Sequence, residues 1–212
     1  MTNISLLLVD DHAVVRAGYR QLISTSSQIQ IIGESSTAED ACQMYAKLKP
    51  DVVVMDLGLP KMSGLEAIRR IKIMDGSAAI LAFTIHDELV YLERALEAGA
   101  KGYLTKSCDP HLLLEGIESL AKGHEFIDPV LKQKQEDKVS TSVTRLQKID
   151  KLSPREFDIY CLLIKGETSK GIADSLFLSQ KTVANYATQI KAKLGVKTLA
   201  EMSHLAPQHK LV

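Results

Sequence analysis

Apolar residues fall into two rhythms along this chain. Over residues 1–125, short apolar runs alternate with stretches of helical spacing. The runs at 4–9, 29–33, 52–55, 79–83 and 102–104 are rich in Val, Ile and Leu and carry no alternating polar face. Runs of that kind are strands buried on both sides. Between them, Val14, Val15, Tyr19, Leu22 and Ile23 recur at helical spacing, as do Ala38, Ala41, Tyr45 and Leu48. Further helices are predicted from Gly64, over 89–98, and from Asp109-Pro110 to about Lys122, the last opened by a cap and a first-turn proline. Strict βα alternation with buried strands predicts a doubly wound parallel sheet of five strands.

In such a sheet polar chemistry gathers beyond the carboxyl ends of the strands. Asp10 and Asp11 follow strand one, Asp56 ends strand three, Thr84 ends strand four and Lys106 follows strand five, so all five are expected to line one crevice. Taken alone, Asp56 is a metal ligand, a nucleophile or a residue capping a turn. Three carboxylates together require a cation or a shared proton. Oxygen-only donors suit a hard ion such as Mg2+ or another divalent cation. With such an ion, Asp56 can attack phosphorus while Lys106 and the Thr84 hydroxyl offset charge on the phosphoryl oxygens.

The segments Leu7-Leu-Val-Asp-Asp-His12, Met55-Asp-Leu-Gly-Leu-Pro60 and Gly102-Tyr-Leu-Thr-Lys106 resemble a two-component receiver domain with a flavodoxin-like fold. The resemblance implies that Asp56 is the phosphoacceptor and that Asp11, Asp56 and the Gly58 carbonyl ligate Mg2+, with Asp10 acting largely through water. It implies a phosphohistidine donor on a sensor histidine kinase or phosphotransfer domain. It also makes Tyr103 an aromatic that turns inward with Thr84, against the alternative of an ordinary half-exposed strand residue. His12 receives no catalytic role and is read as a polar residue at a helix start. Ser107 departs from the proline that many receivers place after the lysine.

Residues 126–149 change character. A charged run at 132–138 and Ser140-Thr141-Ser142 lack apolar periodicity, which predicts a linker, in part helical. Beyond it, Ser153-Pro154-Arg155-Glu156 has the cap, proline and capping-box acid of a helix start. Thr168 and Ser179 cap two more helices, and a fourth runs from about Thr198. On the third, Val183, Ala187, Ile190 and Leu194 make a buried stripe opposite Lys181, Ala184, Asn185, Thr188 and Lys191. This is an all-α, four-helix unit over 150–212 with a helix-turn-helix pattern. A small interaction bundle is the alternative on pattern alone.

Charge bears on that choice. Residues 1–127 carry 12 Lys/Arg against 17 Asp/Glu, −5, whereas 128–212 carry 14 against 9, +5. The basic half calls for an anionic partner. Leu152-Ser-Pro-Arg-Glu156, Leu178-Ser-Gln-Lys-Thr-Val183 and Gln189-Ile-Lys-Ala-Lys-Leu194 resemble the LuxR-type DNA-binding domain, and the whole chain resembles a NarL/FixJ-type response regulator. Double-stranded DNA is then the partner, bound by a homodimer. Asn185 is expected to read adenine and Thr188 a base or thymine methyl, with Ala184 on the same face. Ser169, Lys170, Lys181, Thr182 and Lys191 are expected at phosphates. Tyr186 departs from the family's usual histidine.

Cys42, Cys108 and Cys161 are too scattered for a disulfide framework or a zinc site, which fits a reducing cytoplasm. No apolar run approaches the ~20 residues of a membrane span. Two other classes compete. An Asp-nucleophile phosphohydrolase would want an acid two residues after Asp56, where Gly58 stands. A phosphorylation-independent DNA binder would not need all five crevice residues.

Overall fold

The computed structural model describes residues 3–138, 149 and 152–205. The chain divides into two compact units, at Asp137 and Lys138. The expected stretch at Ser140-Thr141-Ser142 lies outside the described residues.

The first unit is built on strands β1 (Ile4–Val9), β2 (Ile29–Ser35), β3 (Val52–Met55), β4 (Ile80–Thr84), β5 (Gly102–Thr105) and β6 (Phe126–Ile127). All pair in parallel, in the order β2-β1-β3-β4-β5-β6. The helices between them are α1 (Ala13–Ile23), α2 (Ala38–Leu48), α3 (Gly64–Met74), α4 (Leu89–Glu97) and α5 (Pro110–Ala121), followed by α6 (Pro129–Lys138). Every residue of β3, β4 and β5 is buried, as strands covered on both faces require. Leu6, Leu8, Val52, Val54, Phe83 and Leu104 meet α1 and α5 on one face. On the other, α2 packs beside α3 and α3 beside α4.

The expected five-stranded sheet has six strands among the described residues. The sixth is two residues long, too short to show a period, and falls in the stretch read as linker. Backbone pairing makes it: Phe126 N donates to Lys101 O (3.1 Å) and Asp128 N to Tyr103 O (2.8 Å). Gly102 and Gly116 leave room for it, since a Cβ on Gly102 would come 2.8 Å from Phe126 O and one on Gly116 3.1 Å from the Phe126 ring. Residues 129–138, within the stretch read as a partly helical linker, form the helix α6.

The second unit comprises α7 (Pro154–Ile164), α8 (Ser169–Ser175), α9 (Gln180–Leu194) and α10 (Leu199–Leu205). Ser153 and Glu156 form a reciprocal capping box at the start of α7. Thr168 and Ser179 cap α8 and α9 by accepting from Gly171 N and Thr182 N. Phe157, Tyr160, Ile172, Val183, Ile190 and Met202 form the core. Gly195 ends α9 at φ 69°, a left-handed turn that costs glycine least. Glu156, 3% exposed, also accepts from Lys193 Nζ at 2.6 Å, which ties the start of α7 to the end of α9.

Candidate functional site

The sheet order reverses direction at the pair β1 and β3, and the acidic residues stand at that point. Val9 lies opposite Met55. One residue on, Asp10 N donates to Ser35 O (3.1 Å) and Asp56 N to Val9 O (3.0 Å), so the ladder sets the two aspartates side by side. Both are buried. Just past β5, Lys106 N donates to Thr84 O at 2.7 Å, and its ammonium reaches the residues that follow β1 and β3. Lys106 Nζ lies 2.6 Å from Asp10 Oδ2 and 2.6 Å from Asp56 Oδ2. Residues 50 and 96 positions apart thus share one ammonium.

The remaining oxygens have different neighbours. Asp56 Oδ1 accepts from Gly58 N at 3.1 Å, and Asp10 Oδ1 from His12 N at 2.7 Å. Asp11 Oδ1 is buried without a hydrogen bond. His12 Nδ1 lies 2.7 Å from it, an attraction only when that nitrogen carries a proton. Donor atoms of Asp10, Asp11, His12 and Asp56 lie within 4.8 Å of one another. A cluster of carboxylate oxygens, one lacking a donor, suits a hard cation, so the residues present fit a divalent ion. His12 belongs to this cluster, beyond the role expected of it. It stands at the N-cap of α1, but its side chain makes no capping bond. The only signal in the chain was its place beside two aspartates.

Burial pushes the Asp56 carboxyl above its ordinary value, against the pull of Lys106 and of the Gly58 N–H. Burial also works against the Lys106 ammonium, but Asp56 and Asp10 outweigh it, and Lys106 is held above its ordinary value. Each of the two groups favours the charged form of the other, at a contact of 2.6 Å.

Gly64 places the loop after Asp56. A Cβ there would meet the Asp56 carbonyl oxygen and the Leu57 Cα, so only glycine lets α3 start this close. Thr84 is fully buried at the end of β4, where its Oγ1 accepts from His86 N at 3.4 Å. Tyr103 is fully buried too, not half-exposed, and its hydroxyl donates to His86 O at 2.9 Å. Thr84 and Tyr103 therefore both bond to the backbone of His86, whose ring stacks on Tyr91 with centroids 3.8 Å apart.

In the second unit, Lys181, Ala184, Asn185 and Thr188 are exposed along α9, while Thr182 and Lys191 are partly covered. Ser169 and Lys170 are exposed at the start of α8. Two hydroxyls are already engaged: Thr182 Oγ1 shares a hydrogen with Ser179 Oγ (2.8 Å), and Thr188 Oγ1 donates to Ala184 O (3.0 Å). Thr188 can therefore offer a methyl and a lone pair but not its proton. The buried stripe is Val183, Ile190 and Leu194, with Ala187 partly covered.

Residues 6–118 match the family described as "Response regulator receiver domain", and residues 150–206 the family described as "Bacterial regulatory proteins, luxR family". The chain belongs to the LuxR-type response regulators. This response regulator is 34% identical over 212 residues to "Response regulator UvrY" of Escherichia coli (strain K12), spanning 98% of this chain and 95% of that one. A two-component response regulator of the LuxR family from Aurantimonas sp. superposes with a TM-score of 0.64 at 41% identity, over 66% of this chain and all of that one (100%). The RcsB response regulator of Salmonella typhimurium superposes with a TM-score of 0.61 at 26% identity, over 96% of this chain and 98% of that one. The response regulator thus joins a receiver, the partner of a histidine kinase, to a DNA-binding helix-turn-helix that regulates transcription. Among the described residues no helix is long and apolar enough to cross a membrane.

Proposed function

We propose that Asp56 is the phosphoacceptor of this response regulator and that its acyl phosphate controls DNA binding by α9. The observation that carries the reading is the single Lys106 ammonium set between Asp10 and Asp56 at the switch point of the sheet. An Asp56 carboxylate oxygen forms the bond to phosphorus, and the P–N bond of a phosphohistidine on the sensor kinase breaks. Lys106 then follows the new negative charge, and the Thr84 hydroxyl donates to a phosphoryl oxygen. Asp11, Asp56 and the Gly58 carbonyl would hold Mg2+ or another divalent cation, with Asp10 behind them. When bound, that ion would neutralise charge on the phosphoryl oxygens. This self-phosphorylation and its reversal are the only chemistry assigned.

On DNA, Asn185 and Thr188, with Ala184 on the same face, would meet base edges in the major groove. Ser169, Lys170, Lys181, Thr182 and Lys191 would meet phosphates. Two new charge-assisted hydrogen bonds, at roughly 1.5–3 kcal/mol each, only just reach the ~5.5 kcal/mol that moves a population from 1:99 to 99:1. Dimer formation on two half-sites would supply the remainder. The receiver would then span residues 1–125, with β6 added to its sheet, and the DNA-binding unit 150–212, in a cytoplasmic protein.

The test is a gel shift on promoter DNA with wild type and Asp56→Ala, each with and without a phosphodonor and Mg2+. Wild type alone gains affinity under this account. Affinity unchanged by donor and by Asp56→Ala would instead favour a DNA binder that ignores phosphorylation.

A further inference from the structure

Asp128 is 2% exposed, yet the phosphoacceptor pocket does not contain it. It sits between β6 and α6 and binds in two directions. Its Oδ2 accepts from Thr105 Oγ1 (2.7 Å) and Thr105 N (3.3 Å) on β5. Its Oδ1 accepts from Val130 N (3.0 Å), and its carbonyl from Lys132 N (2.9 Å), which starts α6. Its own N–H donates to Tyr103 O at 2.8 Å.

A buried carboxylate is costly to desolvate, and a neutral side chain caps a helix as well. An aspartate has a second oxygen, and that oxygen grips Thr105. Thr105 immediately precedes Lys106, whose ammonium holds Asp10 and Asp56, and Ser107 Oγ donates to Thr105 Oγ1 at 3.2 Å. Tyr103 bonds through its hydroxyl to His86, beside Thr84. Tyr103 and Thr105 thus touch Asp128, and Lys106, next after Thr105, touches Asp10 and Asp56. A second, weaker tie joins α6 to the same loop, Lys134 Nζ to Asp87 Oδ2 at 3.5 Å.

We propose that Asp128 is a positioning residue that couples the phosphorylation state of the pocket to α6, the last helix of the first unit and the one that precedes the DNA-binding unit in the chain. A shift of β5 that follows Lys106 or Tyr103 changes the grip on Oδ2. The cap of α6, held by the other oxygen of the same rigid carboxylate, changes with it. This inference rests on Asp56 as the phosphoacceptor.

The experiment compares full-length wild type and Thr105→Val, a change of nearly equal volume that removes the hydroxyl from Asp128 Oδ2 and leaves the Val130 cap bond in place. Asp128→Asn serves as a second variant, since its amide sets a donor against Thr105 N. Each is incubated with Mg2+ and a small acyl phosphate. Mass spectrometry reads the phosphoryl group on Asp56, and hydrogen exchange reads α6 in the same samples. In wild type, phosphorylation is expected to change α6 exchange by about threefold or more. Thr105→Val and Asp128→Asn are expected to be phosphorylated as wild type is, with α6 exchange no longer responding. An α6 that responds equally in all three overturns the inference, as does a phosphorylated wild type with unresponsive α6. Loss of phosphorylation in the variants also overturns it, because Asp128 would then serve the pocket alone. A wild type that takes no phosphoryl group on Asp56 instead overturns the underlying reading.

Discussion

Replacing Lys106 with methionine keeps the length of the stem and removes its charge. Asp10 and Asp56 then face each other without the ammonium that lies 2.6 Å from an oxygen of each. The side chains of Lys106, Asp10 and Asp56 are only 12%, 3% and 5% exposed, so water replaces little of what is lost. Breaking a buried pair by removing one partner costs about 3–5 kcal/mol. Protonating one carboxyl sets a ceiling. An unfolded aspartate titrates near ~3.9, so neutralising one at pH 7 costs roughly 1.36 × 3.1, about 4 kcal/mol. At pH 5 the same ceiling is about 1.5 kcal/mol.

The sign follows from linkage. Without Lys106 the folded Asp56 carboxyl rises further above its unfolded value, so the folded variant binds protons that the unfolded chain does not. Its deficit against wild type is therefore greatest at neutral pH and shrinks as pH falls. The contribution of Lys106 to wild type is constant over this range, because a raised ammonium is lost only above the ordinary lysine value. Urea denaturation followed by far-ultraviolet circular dichroism, in chelator, measures wild type and Lys106→Met at about pH 5 and pH 7. The midpoint of Lys106→Met should fall by the equivalent of about 3–4 kcal/mol at pH 7 and by less than half that at pH 5. An equal loss at both values would refute the electrostatic reasoning.

Gly64→Ala should abolish acyl-phosphate formation and cost more than the ~1–3 kcal/mol of ordinary overpacking, because the added carbon meets backbone; phosphoryl incorporation and a thermal melt check it. Lys193→Ala should destabilise the second unit by about 0.5–1.5 kcal/mol, a value lowered by the partial exposure of the lysine. Burial works to raise the Glu156 carboxyl, but Lys193 and Ser153 outweigh it and hold it below its ordinary value. Its stabilising contribution is thus present above the usual glutamate range and lost as pH falls through the lower folded value. The stability gap between wild type and Glu156→Gln should close in acid, and a gap independent of pH would count against it. Asn185→Ala should cost about 1–3 kcal/mol on the preferred site and little on random DNA, whereas Lys181→Ala should weaken both alike and lower the salt slope by about 1; fluorescence anisotropy on both DNAs at several salt concentrations separates the two.

Strands β1 and β3 were legible to the residue because their apolar runs, broken only by Ser5, stop at charged positions. Their ends in turn implied that Asp10, Asp56, Thr84 and Lys106 share one rim, since parallel βα winding brings every strand exit to the same edge. The partner of each oxygen was not legible. That Lys106 spans Asp10 and Asp56 depends on side-chain torsions that no spacing encodes. Strand β6 escaped because two residues cannot show a period; only its backbone bonds to Lys101 and Tyr103 define it. Asp128 was hidden for the same reason, read as part of a polar stretch when it is buried under one. The bond from Lys193 to Glu156 spans 37 positions and follows from how α9 packs on α7, not from either helix alone.

The most direct measurement is peptide mapping by mass spectrometry after incubation with a small acyl phosphate, with Mg2+ or with chelator, on wild type and Asp56→Asn. One phosphoryl group on Asp56, formed with Mg2+, lost in chelator and absent from Asp56→Asn, is the predicted result. A phosphoryl group on another residue, or equal labelling of wild type and Asp56→Asn, would contradict the account.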